Sequence, residues 1–66
     1  MIVIVNGVRT DRRAPATIRE VVIESGAKPE HVAVLLNGDM LPRAEWDAVQ
    51  THEGDRVEIL AVVGGG

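Results

Sequence analysis

Cysteine is absent from this chain of 66 residues, and with it go disulfide bridges, thiolate metal ligands and any cysteine nucleophile. Phenylalanine and tyrosine are absent too, and Trp46 is the single aromatic residue, so a core has to be assembled mainly from Val, Ile and Leu within a hydrophobic content of 45%. Side chains branched at Cβ fit a pleated surface, so that composition favours sheet. No apolar run approaches the roughly 20 residues of a membrane-spanning helix. The opening Ile2-Val3-Ile4-Val5 is only strand length and follows no basic region, so it is not read as a secretory signal, and a cytoplasmic location is expected. An excess of basic residues is also lacking: the net charge is −3, which argues against nucleic acid as a general partner because phosphate binding needs clustered Lys and Arg.

The charge is unevenly distributed. Residues 1–29 carry five basic and three acidic groups, whereas residues 30–66 carry two basic and seven acidic ones. A partner that captures the C-terminal end is therefore expected to offer a basic rim to groups such as Asp39, Glu53, Asp55 and Glu58. Groupings that suggest chemistry within the chain are weak. His31 and His52 match no zinc spacing and read as solvated loop residues, so no metal site is expected. Glu53 and Asp55 flank Gly54 and read as turn formers rather than an acid–base pair, and there is no glycine-rich phosphate cradle. No catalytic residue is assigned.

Residues 2–6 read as a strand, Asn6-Gly7 as a tight hairpin turn, and residues 8–13 as a returning strand whose charges suit a sheet edge. Thr17-Ile18-Arg19-Glu20 is a capping box, and it predicts a helix with Ile18, Val21, Val22 and Ser25 on one face. Gly26 closes that helix and Pro29 prevents its resumption, while Ile23 lies off the apolar stripe. Residues 32–36 form a third strand, and Asn37-Gly38-Asp39 turns the chain into a short fourth one at Met40-Leu41. Residues 43–50 read as one or two helical turns. Residues 56–63 form the last strand, with Val57, Ile59, Ala61 and Val63 on one face and Arg56, Glu58, Leu60 and Val62 on the other. One helix and a mostly antiparallel sheet bury their apolar faces against each other in a two-layer α+β fold. Residues 1–63 are one domain, near the lower size limit for a self-supporting core.

Three of the seven glycines are the last three residues, Gly64, Gly65 and Gly66. A strip without side chains has two readings: a frayed end, or a thread that enters a narrow channel and presents the Gly66 carboxylate to another protein's active site. The face alternation adds a second candidate surface, because Ile4, Leu35, Leu60 and Val62 fall on the side of the sheet away from the helix and form a patch suited to docking.

The element order and length resemble the ubiquitin-like β-grasp, a mixed sheet of four or five strands crossed by one helix. That resemblance implies that the first and last strands run parallel at the centre of the sheet. Val34-Leu35-Leu36-Asn37-Gly38 followed by Leu41-Pro42-Arg43-Ala44-Glu45-Trp46 resembles the ThiS family, the sulfur carriers of the thiamine pathway, whose mark is Pro-Arg-x-x-Trp. Glu53-Gly54-Asp55-Arg56-Val57-Glu58-Ile59 and Val63-Gly64-Gly65-Gly66 resemble that family's Gly-Asp turn, last strand and tail. Pro42, Arg43 and Trp46 are the discriminating residues, since the Gly-Asp turn is shared with molybdopterin carriers. Trp46 itself reads as a lid on an open end of the core rather than a partner contact.

The resemblance implies a non-enzymatic carrier, monomeric when free, that holds no cofactor. An E1-like, ThiF-type enzyme uses ATP to adenylate Gly66, a persulfide sulfur donor displaces AMP, and the thiocarboxylate delivers sulfur to a ThiG-type thiazole synthase. Three alternatives remain open: a carrier for molybdopterin or cysteine synthesis, a ubiquitin-like modifier joined to lysines through Gly66, and a plain interaction module.

Overall fold

Asn6 (φ 49°) and Gly7 (φ 81°) both take left-handed backbone, the combination that joins two right-twisted strands most tightly. In the computed structural model, which describes residues 1–62, this turn links β1 (Ile2–Val5) to β2 (Val8–Asp11). Asn37 and Gly38, at φ 52° and 87°, link β3 (Val32–Leu36) to β4 (Asp39–Leu41) in the same way. β5 (Arg56–Ala61) completes a five-stranded sheet in the order β2-β1-β5-β3-β4. β1 and β5 are parallel, and the other neighbours are antiparallel. The first and last strands therefore lie side by side inside the sheet, and the charged β2 lies at its edge.

β2 stops short of the predicted residue 13. Arg12 still pairs with Met1 in the β1–β2 register, its amide donating to Met1 O at 2.8 Å and its carbonyl accepting from Met1 N at 2.6 Å, while its guanidinium reaches across to hold Glu24, with Nη2 donating to Oε2 at 3.1 Å. α1 (Ile18–Glu24) starts on the predicted capping box: Thr17 Oγ1 accepts from Glu20 N at 3.1 Å, and Glu20 Oε1 accepts from Thr17 N at 3.3 Å. The first-turn amides that the helix cannot satisfy internally go to the segment before β5, Ile18 N to Val49 O at 3.0 Å and Arg19 N to Trp46 O at 3.3 Å. Gly26 (φ 88°) ends the helix. Ser25 departs from its predicted place on the buried face. It caps the helix from an exposed position, and its hydroxyl donates back to Val22 O at 2.6 Å.

Ile18, Val21 and Val22 of the helix pack against Val3, Val32, Val34 and Val57 of the sheet, with Ala16 and Trp46 closing the core. Each buried Val or Ile side chain contributes about 1.5–3 kcal/mol by leaving water. Residues 43–50 form a single 3-10 turn, Arg43–Glu45, followed by irregular chain. Thr51, which no periodicity marks, is 1% exposed. Its Oγ1 accepts from Ala16 N at 3.1 Å while its amide donates to Ala16 O at 2.8 Å, so it pins the irregular segment to the start of the helix. Ala61 shares the inner face but is exposed, because the core cover ends at its partner Val32.

Candidate functional site

The strand that leads to the C-terminus is fastened on both flanks. On the β3 side the pairing runs from Leu36–Val57 to Val32–Ala61 and continues to Val62, whose amide donates to His31 O at 2.8 Å. At the other end of that flank, Asn37 adds side-chain bonds: Oδ1 accepts from Arg56 N at 3.0 Å, and Nδ2 donates to Asp55 Oδ1 at 3.0 Å. On the β1 side, Ile4 N donates to Asp55 O at 2.8 Å and Asn6 N to Val57 O at 2.9 Å. β1 then turns away, and the Asn6 side chain takes its place, with Oδ1 accepting from Ile59 N at 2.7 Å. Both hairpin asparagines therefore extend the ladder on β5 as well as forming turns. An Asn-Gly pair signals the turn; only tertiary placement gives the side chain its partner.

Glu53 and Asp55 behave as turn formers. Glu53 Oε1 accepts from Ile2 N at 3.0 Å and Asp55 Oδ2 from His52 N at 2.7 Å, around Gly54 at φ 83°. His31 and His52 are exposed, and among the described residues no group of three His, Cys, Asp or Glu side chains gathers to hold a metal. Hydrogen bonds from Arg12 hold the Glu24 carboxyl below the usual carboxylate range.

Strand register places Ile4 beside Arg56, Leu35 beside Glu58 and Leu60 beside Ala33, all on the face opposite the helix. Val62 continues that alternation. Ile4 and Leu35 are half-buried, whereas Leu60 and Val62 are 44% and 52% exposed. Met40, opposite Leu35 and 62% exposed, extends the surface beyond the four residues read from alternation. Arg56 and Glu58 divide it: Leu35 and Met40 lie to one side, while Ile4 and Leu60 meet in a shallow depression also lined by Asn6, Gly7, Arg56 and Glu58.

Pro42, Arg43 and Trp46 lie elsewhere and hold the fold. The Arg43 guanidinium donates to the carbonyls of Pro29 and Val32, the latter at 3.1 Å, and its Cζ stands 4.7 Å from the centre of the Trp46 ring. Arg19 adds a second cation over the same ring at 5.5 Å. The indole N–H donates to Leu41 O at 3.2 Å, which leaves Trp46 1% exposed. The Pro-Arg-x-x-Trp element thus ties the chain after β4 to the entrance of β3. Gly64, Gly65 and Gly66 lie outside the described residues, as does Val63.

Comparison with known proteins places this arrangement. The model of the ThiS family matches residues 3–66. A thiazole synthase of Paramagnetospirillum magneticum is 32% identical over 66 residues, covering 100% of this chain and 20% of that protein, so the chain spans about a fifth of the length of the curated relative it matches. The crystal structure of the thiamine biosynthesis protein ThiS from Geobacter metallireducens superimposes with a TM-score of 0.84 at 35% identity, covering 100% of both chains. The solution structure of a thiamine biosynthesis protein from the same organism gives 0.78 at 36% identity, covering 100% of this chain and 88% of the other.

Proposed function

Because this chain belongs to the ThiS family, we propose that it is a sulfur carrier for the thiazole half of thiamine, bearing the sulfur as a thiocarboxylate on Gly66. The observation that carries this reading is that the family match runs to residue 66 and so includes the glycine tail. A free carboxylate is a poor acyl donor, since its leaving group would be oxide or hydroxide. ATP solves this: a Gly66 carboxylate oxygen attacks the α-phosphorus, pyrophosphate leaves, and an acyl adenylate forms. The terminal sulfur of a persulfide then attacks the carbonyl carbon and expels AMP, and reduction of the remaining S–S bond by a thiol leaves the thiocarboxylate. With no cysteine, the chain cannot hold the sulfur as a persulfide of its own.

On this reading the donors that stabilise the tetrahedral intermediate belong to the partners, an E1-like, ThiF-type adenylating enzyme and a ThiG-type thiazole synthase. Similarity to a segment of a thiazole synthase supports the second partner, because a carrier-like unit there shares one polypeptide with the rest of that protein. The outer face bearing Ile4, Leu35, Leu60, Val62 and Met40 is the proposed docking surface, and Gly64 and Gly65 the stretch that enters the partner's channel.

Intact mass spectrometry after incubation with the cognate adenylating enzyme, ATP and a persulfide donor tests the proposal. Exchange of one oxygen for sulfur is expected in the full chain and none after deletion of Gly66, with the thermal midpoint of the two proteins the same. Attachment to lysines of another protein would make the chain a modifier instead. Sulfur uptake by the truncated chain would overturn the carrier reading.

A further inference from the structure

The two flanks of β5 are unequal beyond Ile59. Val62 N donates to His31 O and Asn37 N to Arg56 O, so in the antiparallel ladder the even-numbered residues of β5 turn their backbone groups toward β3. The odd-numbered residues turn theirs toward β1. There Val57 O is taken by Asn6 N and Ile59 N by Asn6 Oδ1, while the β1 register itself ends at Val5–Val57. Past that point the lane is open: among the described residues nothing bonds Ile59 O or the amide of Ala61. Ala61 is exposed, flanked by the exposed side chains of Leu60 and Val62, and its neighbour Leu60 lines the depression that also holds Ile4 and Gly7.

An unpaired strand edge of this kind binds extended backbone, because its donors and acceptors recur at strand spacing. We infer that the β1-side edge of β5 from Ile59 onward is a strand-addition site for an extended segment of the adenylating partner, so that capture of the tail begins at Ala61, within the folded domain. The inference rests on the reading that such a partner takes the tail. It commits to a partner strand because the open lane leads directly into the residues that partner must hold, and because the docking side chains Leu60 and Val62 alternate with the open backbone groups.

Ala61→Pro is the direct test. Proline removes the Ala61 amide, which the described fold does not use, and leaves the Leu60 and Val62 amides to β3 intact. Titration with the cognate adenylating enzyme should show about tenfold weaker binding, with the thermal midpoint unchanged. In the unaltered protein, amide exchange followed by NMR should slow at least tenfold at Ala61 on adding that enzyme, a readout that holds even if the variant folds poorly. Binding of Ala61→Pro equal to that of the unaltered chain, or unslowed exchange at Ala61 in the complex, overturns the inference while leaving the carrier reading in place. An unaltered chain that the enzyme does not bind overturns both. A self-associating chain that Ala61→Pro returns to monomer would assign the edge to a second copy and overturn the partner assignment.

Discussion

Neighbouring residues of β5 live in opposite surroundings. Val57 is fully buried and Ile59 packs against the core, whereas Leu60, one residue on, is 44% exposed on the other face. Both faces carry large apolar groups, so hydrophobicity alone does not separate the residues that hold the domain together from those that remain available. The strand's period of two does. One face is closed by α1 and Trp46, and the other meets nothing else among the described residues. A single step along the strand therefore moves a substitution from the buried core to an open surface.

The largest effect that can break this contrast comes from placing a charge on each face. Val57→Asp should unfold the domain, because a buried carboxylate without a partner costs several kcal/mol against a total stability of about 5–15 kcal/mol. Leu60→Asp should keep the native circular dichroism spectrum and weaken binding to the adenylating enzyme at least tenfold. If Leu60→Asp unfolds as readily as Val57→Asp, the two faces are not distinct in the way described. A smaller effect is expected where the Asn6 side chain holds the β1-side flank of β5. Asn6→Gly keeps the left-handed turn but removes the acceptor for Ile59 N, and should lower stability by about 1 kcal/mol in urea titrations, whereas Asn6→Asp should restore most of the loss. Equal losses in both variants would show that the turn, not the side-chain bond, sets the cost.

The smallest effect lies on the helix side, far from the exposed face. Hydrogen bonds from Arg12 hold the Glu24 carboxyl below the usual carboxylate range, so the pair contributes stability above Glu24's unfolded pKa and loses it as pH falls through the lower folded value. Because the Glu24 side chain is 51% exposed, Glu24→Gln should cost only a few tenths of a kcal/mol at neutral pH and nothing further at the acid end of the titration. A loss of several times that size would mean the Arg12 clasp carries part of the core's stability.

Much of this was legible in the sequence because local chemistry decided it. Asn6-Gly7 and Asn37-Gly38 required left-handed turns, Thr17 and Glu20 a helix start, and strict alternation over residues 56–62 placed Leu60 opposite Val57. The parallel lane of β1 beside β5 came from the family resemblance, since nothing local fixes which distant strands meet. Tertiary geometry alone supplied the rest. Asn6 and Asn37 reach β5 only once the hairpins flank it, Arg43 finds the Pro29 and Val32 carbonyls across the fold, and Thr51 is buried without belonging to any pattern. Ser25 misled because helical spacing continues into a residue whose role is to end the helix.

Trp46 is the chain's only aromatic residue and is sealed from water beneath two guanidinium groups. Its fluorescence is consequently a report on the interior: emission should shift to the red when the core opens to solvent and stay constant while a partner settles on the far side of the sheet. The protein carries a built-in optical gauge of folding, and kinetics of docking call for an added dye at the margin of the outer face, for instance at a cysteine introduced in place of the exposed Arg9, beside Ile4 on the edge strand.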